Sequence, residues 1–169
     1  VSVGDKRIVY PWIGCGTCNV CKDNNELLCN NPITVGTRRN GGYAEYLLAP
    51  HAKFLVPYDG VDEAFAATAA CSGITAYSAL KKLKHLTAKQ TTLIIGAGGV
   101  GLAGIGMAKA ILKTKIIVAD IDPEKRKAAI ELGADEVIDN GAVDASKNLM
   151  IMTNGGPDGV VDFVGAPTT

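Results

Sequence analysis

Cys15, Cys18, Cys21 and Cys29 stand in C-x2-C-x2-C-x7-C spacing within residues 14–32. Four thiolates this close along a chain can surround one ion tetrahedrally, and zinc is the usual occupant of such a closed site. The lobe is mostly polar, with no hydrophobic core of its own, so metal binding is expected to supply its folding energy. An iron–sulfur cluster also uses four thiolates, and the first three cysteines share the ferredoxin spacing. There the fourth would follow three residues on rather than seven, and no second cysteine run exists. A nucleic-acid zinc module would need two separated pairs and basic flanks, whereas Lys22 is balanced here by Asp23 and Glu26.

A second constellation points to nucleotide chemistry. Gly96, Gly98 and Gly101 are spaced G-x-G-x-x-G, and Asp120 lies farther along. Gly96 permits a tight turn, Gly98 lets a pyrophosphate approach the backbone, and Gly101 lets a helix lie close to its strand. The first N–H groups of that helix, from Gly99 and Val100, would face the phosphates with the positive end of the helix dipole. Asp120 would accept hydrogen bonds from both hydroxyls of the adenine ribose. The motif means little unless strand, glycines, helix, strand and acid come in that order, and they do. Thr91 to Ile95 is a short apolar run suited to a buried strand, Val100 to Lys113 is helical, and Ile116 to Ala119 is a second strand ending on Asp120.

The elements beyond Asp120 continue the pattern. Asp122 is an expected N-cap, with Pro123 at the first helical position and Glu124 in the first turn, and Gly133 ends that helix. Glu136 to Asp139 is an expected third strand, Val143 to Thr153 a helix, and Gly159 to Val164 a fourth strand. Upstream, Gly4-Asp5 predicts a turn followed by a strand. Residues 33–60 are expected to be β structure, with a hairpin at Asn40-Gly41 and a strand from Tyr43 to Leu48. Pro57, Asp59 and Gly60 mark a boundary before a helical region, Val61 to Leu83. The reading is α/β: an incomplete Rossmann-type doubly wound parallel sheet over 61–169, preceded by a partial β domain over 1–60.

Cys71, among small residues, would by composition alone be a buried hydrophobe. His51 belongs in a surface loop and His85 at a helix end, neither with a ligand role.

The totals set limits. The chain has 169 residues with Lys+Arg 17 against Asp+Glu 17, and zero net charge argues against a nucleic-acid partner. The hydrophobic content of 47% suits a packed core. No apolar stretch is long enough to span a bilayer, and no secretory signal is visible. Five cysteines, clustered and odd in number, suit metal ligation in a reducing, cytoplasmic setting better than disulfides. The sequence begins at Val1 rather than Met, which fits part of a longer polypeptide.

The four-cysteine lobe, the C-x-G-I-T-A-Y-x-A-L stretch at Cys71 and the glycine fingerprint closing on Asp120 occur in that order. Together they resemble the zinc-dependent medium-chain alcohol dehydrogenases. The resemblance implies a GroES-like catalytic domain, a Rossmann domain, NAD, two zinc ions and a homodimer or homotetramer. It implies structural zinc on the four lobe cysteines and makes Cys71 one ligand of a catalytic zinc. It places Thr75 near the nicotinamide and Lys125 on the adenosine ribose. The family's other catalytic-zinc ligands and proton relay lie upstream of Val1. The implied activity is NAD-dependent oxidation of an alcohol to a carbonyl, or the reverse, by a longer enzyme. The alternative is a non-catalytic nucleotide- and zinc-binding module.

Overall fold

The computed structural model describes residues 1–167. Contacts within it divide the chain into Val1–Ala70 and Cys71–Thr169.

In the first unit, β1 (Ile8–Val9) pairs antiparallel with β2 (Leu55–Val56), and a single helical turn, α1 (Asn19–Lys22), lies in the cysteine lobe. Ile13, Val35 and Phe54 form a small buried cluster, with Tyr10 stacked on Phe54 at 6.5 Å between ring centroids. The helix α2 (Glu63–Thr68) belongs to this unit although it follows the Pro57–Gly60 boundary. Glu63 pairs with Lys6, and Trp12 Nε1 donates to the Ala70 carbonyl at 2.8 Å.

The expected strand over Tyr43 to Leu48 and the hairpin at Asn40-Gly41 are not present. Residues 33–50 are irregular, with one isolated bridge between Val35 and Arg39. Tyr43, Tyr46 and Leu48 carry strand-forming side chains but are largely exposed. A strand is stable only against a partner and over a buried face, and the described residues supply neither here.

The second unit starts within a π-helical turn, Ala69–Gly73, that leads into α3 (Ile74–Lys81). Then come β3 (Thr91–Ile95), α4 (Gly99–Ile111), β4 (Lys115–Ala119), α5 (Pro123–Glu131), β5 (Glu136–Ile138), α6 (Ala145–Met152) and β6 (Gly159–Asp162). The four strands are parallel in the order β5-β4-β3-β6, so the chain reverses its direction of travel across the sheet between β5 and β6. Ligands of such sheets bind beyond the carboxyl ends of the strands at the switch point, here between β3 and β6.

Both faces of the sheet are covered, which explains the unbroken apolar strands. Ile94, Ile116 and Val118 turn to one side, where Leu80, Ile105 and Ala108 from α3 and α4 meet them. Leu93, Ile117 and Ala119 turn to the other, against Leu149 and Met152 of α6. The buried hydroxyls of Thr92 and Thr114 satisfy each other at 2.8 Å. Asp122 caps α5 by accepting from the N–H groups of Glu124 and Lys125, and Gly133 ends it at φ +105°. No helix among the described residues is long and apolar enough to cross a membrane.

Candidate metal centre and cofactor cavity

The four lobe cysteines converge. Their Sγ atoms all lie within 4.8 Å of one another, with Cys15 and Cys21 4.0 Å apart and Cys18 and Cys29 3.9 Å apart. A zinc tetrahedron with 2.3 Å bonds has S···S edges of about 3.8 Å, so the sulfur set fits that ion. The backbone is shaped around it. A Cβ on Gly14 would stand 2.5 Å from Cys21 Sγ, and Gly16 turns the chain at φ +74°. The N–H groups of Cys15 and Cys18 point at Cys29 Sγ and Cys15 Sγ, at 3.3 and 3.4 Å.

Two of the thiols sit at opposite ends of the titration scale. The Thr17 hydroxyl, then the N–H groups of Thr17 and Cys18, draw the Cys15 thiol down to about 5. Burial pushes Cys21 up to about 12. One sulfur is thus held toward the thiolate, and another toward the thiol until a bound cation displaces its proton.

Glu26, read at first only as a balancing charge, has a structural task. Its Oε2 accepts from Gly14 N–H at 3.1 Å, and its Oε1 lies 3.6 Å from Lys53 Nζ. It therefore ties the ring of ligands to the segment after His51. His51 is exposed, and its Nδ1 accepts from Lys53 N–H at 3.0 Å. His85 is also exposed, beside the Lys82 carbonyl.

Cys71 is exposed in the π-helical turn, so it is not the core residue that composition alone suggests. Thr75 is exposed on α3. Among the described residues, no group of metal-capable side chains assembles around Cys71.

At the glycine turn, Gly96 leaves β3 at φ +91°, and its N–H donates to Ala119. A Cβ on Gly101 would lie 1.9 Å from the Gly96 carbonyl oxygen, so only glycine fits where α4 crosses the strand end. Gly98 and Gly99 face open space, with nothing within 4 Å of where a Cβ would be. The first-turn N–H groups of α4 have no acceptor within the helix. An open, amide-lined cradle at a helix N-terminus fits a pyrophosphate.

A cavity of about 340 Å³ lies beside this turn, lined in part by Gly96, Asp120, Lys125, Asn140, Gly141 and Val164. The buried Asp120 carboxylate already accepts two backbone bonds, from Ala97 N–H at 2.7 Å and Asp122 N–H at 2.9 Å. Burial pushes its pKa up, but those bonds and the charges of Lys125 and Arg126 more than offset this, leaving it below the usual carboxylate value. Sequence reasoning missed Asn140, Gly141 and Val164. The available signal was their place just beyond strand ends, where doubly wound sheets hold ligands.

Known proteins match in the same order as these sites. An alcohol dehydrogenase GroES-like domain matches residues 1–60, and a zinc-binding dehydrogenase domain matches residues 99–169. The chain belongs to the zinc-dependent medium-chain alcohol dehydrogenase family. An NAD-dependent alcohol dehydrogenase of Sulfolobus acidocaldarius is 40% identical over 98% of this chain, which covers 47% of that protein. An alcohol dehydrogenase of Geobacillus stearothermophilus is 36% identical over 82% of this chain and 40% of its own length. Among solved structures, the alcohol dehydrogenase of Aeropyrum pernix superposes with a TM-score of 0.87 at 31% identity, over 98% of this chain and 49% of that one. The chain thus spans about half the length of the relatives it matches.

Proposed function

We propose that this chain is the zinc-lobe and nucleotide-binding portion of an NAD-dependent alcohol dehydrogenase acting on an alcohol or its carbonyl counterpart. The observation that carries the proposal is the open, amide-lined cradle at Gly98 and Gly99 next to a cavity lined by Asp120. The relatives' names and the family membership support the same reaction class. Residues 1–60 belong with the catalytic domain, and 61–169 supply a linking helix, whose α2 portion packs in the first unit, and the dinucleotide domain.

When bound, NAD supplies the hydride acceptor and a catalytic zinc supplies a Lewis acid for the substrate oxygen. The chain's own residues do the positioning. Gly96 and Gly101 fold the turn tightly, and the N–H groups of Gly98, Gly99 and Val100 receive the phosphates. Asp120 accepts the ribose hydroxyls with its remaining lone pairs, and Lys125 flanks it. The same carboxylate meets a 2′-phosphate with like charge in a partly desolvated site, so NAD is preferred over NADP. Cys71 offers a thiolate to the catalytic ion, and Thr75 lies near the nicotinamide. Cys15, Cys18, Cys21 and Cys29 hold a structural zinc. The intact enzyme is a cytoplasmic homodimer or homotetramer, on the family resemblance and the cysteine usage.

The test is a titration of the intact polypeptide with NAD and NADP, with alcohol-dependent NADH formation and zinc content measured on the same preparation. Tight NAD binding, weak NADP binding and turnover are expected. Equal affinity for the two cofactors would overturn the role of Asp120, and NAD binding without turnover on any alcohol would favour a non-catalytic module.

A further inference from the structure

Part of the cavity lining, Asp120 with Ile121 and Asn140 with Gly141, comes from just beyond two strand ends, and one side chain joins them. Arg126 lies on α5, immediately after Lys125, with its side chain only 19% exposed. Its Nη1 donates to the main-chain carbonyl of Asp120 at 2.8 Å, where β4 ends. The same nitrogen lies 3.4 Å from Asp139 Oδ2, where β5 ends. The Asp120 carbonyl takes a hydrogen bond from this nitrogen, and Asp139 faces it as an ion-pair partner. The other oxygen of Asp139, Oδ1, accepts from Gly141 N–H at 2.9 Å. A chain of contacts therefore runs from the Asp120 peptide through Arg126 and Asp139 to the Gly141 backbone.

The corner so held carries Asn140, whose Oδ1 is buried and finds no hydrogen-bond partner among the described residues. Its own side chain does not secure the corner through that oxygen. Main-chain bonds also hold it, from Asp120 N–H to the Ile138 carbonyl at 3.2 Å and from Ala142 N–H to the Asp139 carbonyl at 3.3 Å.

We propose that Arg126 is a positioning residue for the adenosine half of the dinucleotide. It locks the Asn140–Gly141 wall against the end of β4, so that the cavity beside Asp120 and Lys125 is formed before the ligand arrives. The inference rests on the NAD-binding reading above. A preformed wall spares the ligand the cost of ordering two loops. A lysine would replace it only in part, because its side chain ends one bond short of the Nη1 position and its compact ammonium is more strongly hydrated.

The test compares the intact polypeptide with its Arg126→Met and Arg126→Lys variants by calorimetry with two halves of the cofactor. ADP-ribose probes the adenosine side, and nicotinamide mononucleotide probes the other. Arg126→Met should weaken ADP-ribose binding on the order of tenfold. Nicotinamide mononucleotide affinity should stay as in the wild type, and Arg126→Lys should recover only part of the loss. In turnover, KM for NAD should rise while kcat is kept. Lys127→Met, an exposed neighbour on the same helix, serves as the control.

Should Arg126→Met fail to fold, Asp139→Asn keeps an acceptor for Gly141 and removes only the charge opposite Arg126. It should weaken ADP-ribose in the same selective way, and in a double variant that does fold the two losses should not add. Equal ADP-ribose affinity in wild type and variants would overturn the proposal. So would an equal loss for both halves of the cofactor, the mark of general destabilisation. A wild type that does not bind ADP-ribose would remove the NAD reading itself, and this inference with it.

Discussion

In the cysteine lobe almost nothing apolar is buried. Leu27 and Leu28 are exposed, and the buried residues of 14–32 are Gly14 and the candidate ligands Cys21 and Cys29. In the sheet unit, Ile94, Ile105, Ile116, Ile117 and Val118 are all essentially inaccessible to water. Both regions present a ligand site built mainly from backbone turns, but they are held in opposite ways. The lobe has sulfurs poised around a point and no core, so its order depends on what occupies that point. The glycine turn hangs from an apolar core built entirely of the chain's own side chains. Losing the ligand should therefore unfold one site and merely empty the other.

Removing the metal is the largest test of that contrast. Structural zinc in small modules is worth roughly 10–16 kcal/mol of apparent binding free energy, which becomes folding free energy when no other core exists. Cys18→Ser, or a strong chelator, should abolish the lobe's zinc and expose the 14–32 backbone to rapid hydrogen exchange. Protection of β3, β4 and α4 should remain. Because Cys21 must lose a proton at a site that burial pushes up to about 12, zinc affinity should also fall as pH is lowered. Uniform loss of protection across both units on chelation would break the contrast. Iron with visible charge-transfer absorption would reassign the lobe's metal.

Gly101→Ala attacks the other site through its scaffold. The new methyl would stand 1.9 Å from the Gly96 oxygen and 2.8 Å from its carbonyl carbon, both main-chain atoms. Neither can move without bending β3 or lifting α4, so the cost should be at least the ~1–3 kcal/mol typical of overpacking. NAD binding should be lost and the sheet unit should melt earlier, while zinc content stays unchanged.

The sheet unit was legible in the sequence because its signals are local. Thr91–Ile95 was placed to the residue, and the helix and strand ends after it fell within a few residues, fixed by caps such as Asp122 and by Gly133. The stretch from 33 to 50 was misread because Asn40-Gly41 and the aromatic run at Tyr43 signal a strand, but pairing is a property of a partner that sequence alone does not supply. Among the candidate residues, the four cysteines that converge and the glycines of the turn were legible from spacing. Arg126, Asp139 and Asn140 were not, because Arg126 reaches 6 residues back to Asp120 and 13 forward to Asp139, and no periodicity records a side chain reaching from a helix to two strand ends.

Asp120→Asn should have an intermediate effect. Beyond its proposed role at the ribose, the carboxylate receives the Ala97 and Asp122 N–H groups. An amide keeps one acceptor, loses the other and lacks the charge, for about 1–3 kcal/mol. Discrimination against NADP should shrink, though NAD affinity should fall with it. A serine there would loosen the turn further, so a clean exchange of cofactor preference is not expected from that change alone. The pH dependence has a definite sign. The folded carboxyl titrates below its ordinary value, so its contribution is complete above about pH 4 and is lost as pH falls through the lower, folded value. The wild type should show this acid limb in sheet-unit stability, and Asp120→Asn should lack it.

The smallest effect sharpens the comparison within a single helix. Gly106 lies on α4, five residues beyond Gly101, but it is exposed, and a Cβ there would meet nothing within 4 Å. Its φ lies outside the positive region, so alanine fits the backbone without strain. Glycine in a helix interior costs roughly 0.5–1 kcal/mol relative to alanine, chiefly because the unfolded chain has more freedom to lose. Gly106→Ala should therefore raise the melting temperature of the sheet unit slightly, with NAD affinity and zinc content unchanged. The same methyl at Gly101 should destroy binding. If both alanines lowered NAD affinity, α4 would need backbone flexibility along its length rather than close approach at its first turn. The account of Gly101 as a contact point with the Gly96 carbonyl would then be replaced by one based on the mobility of the whole helix.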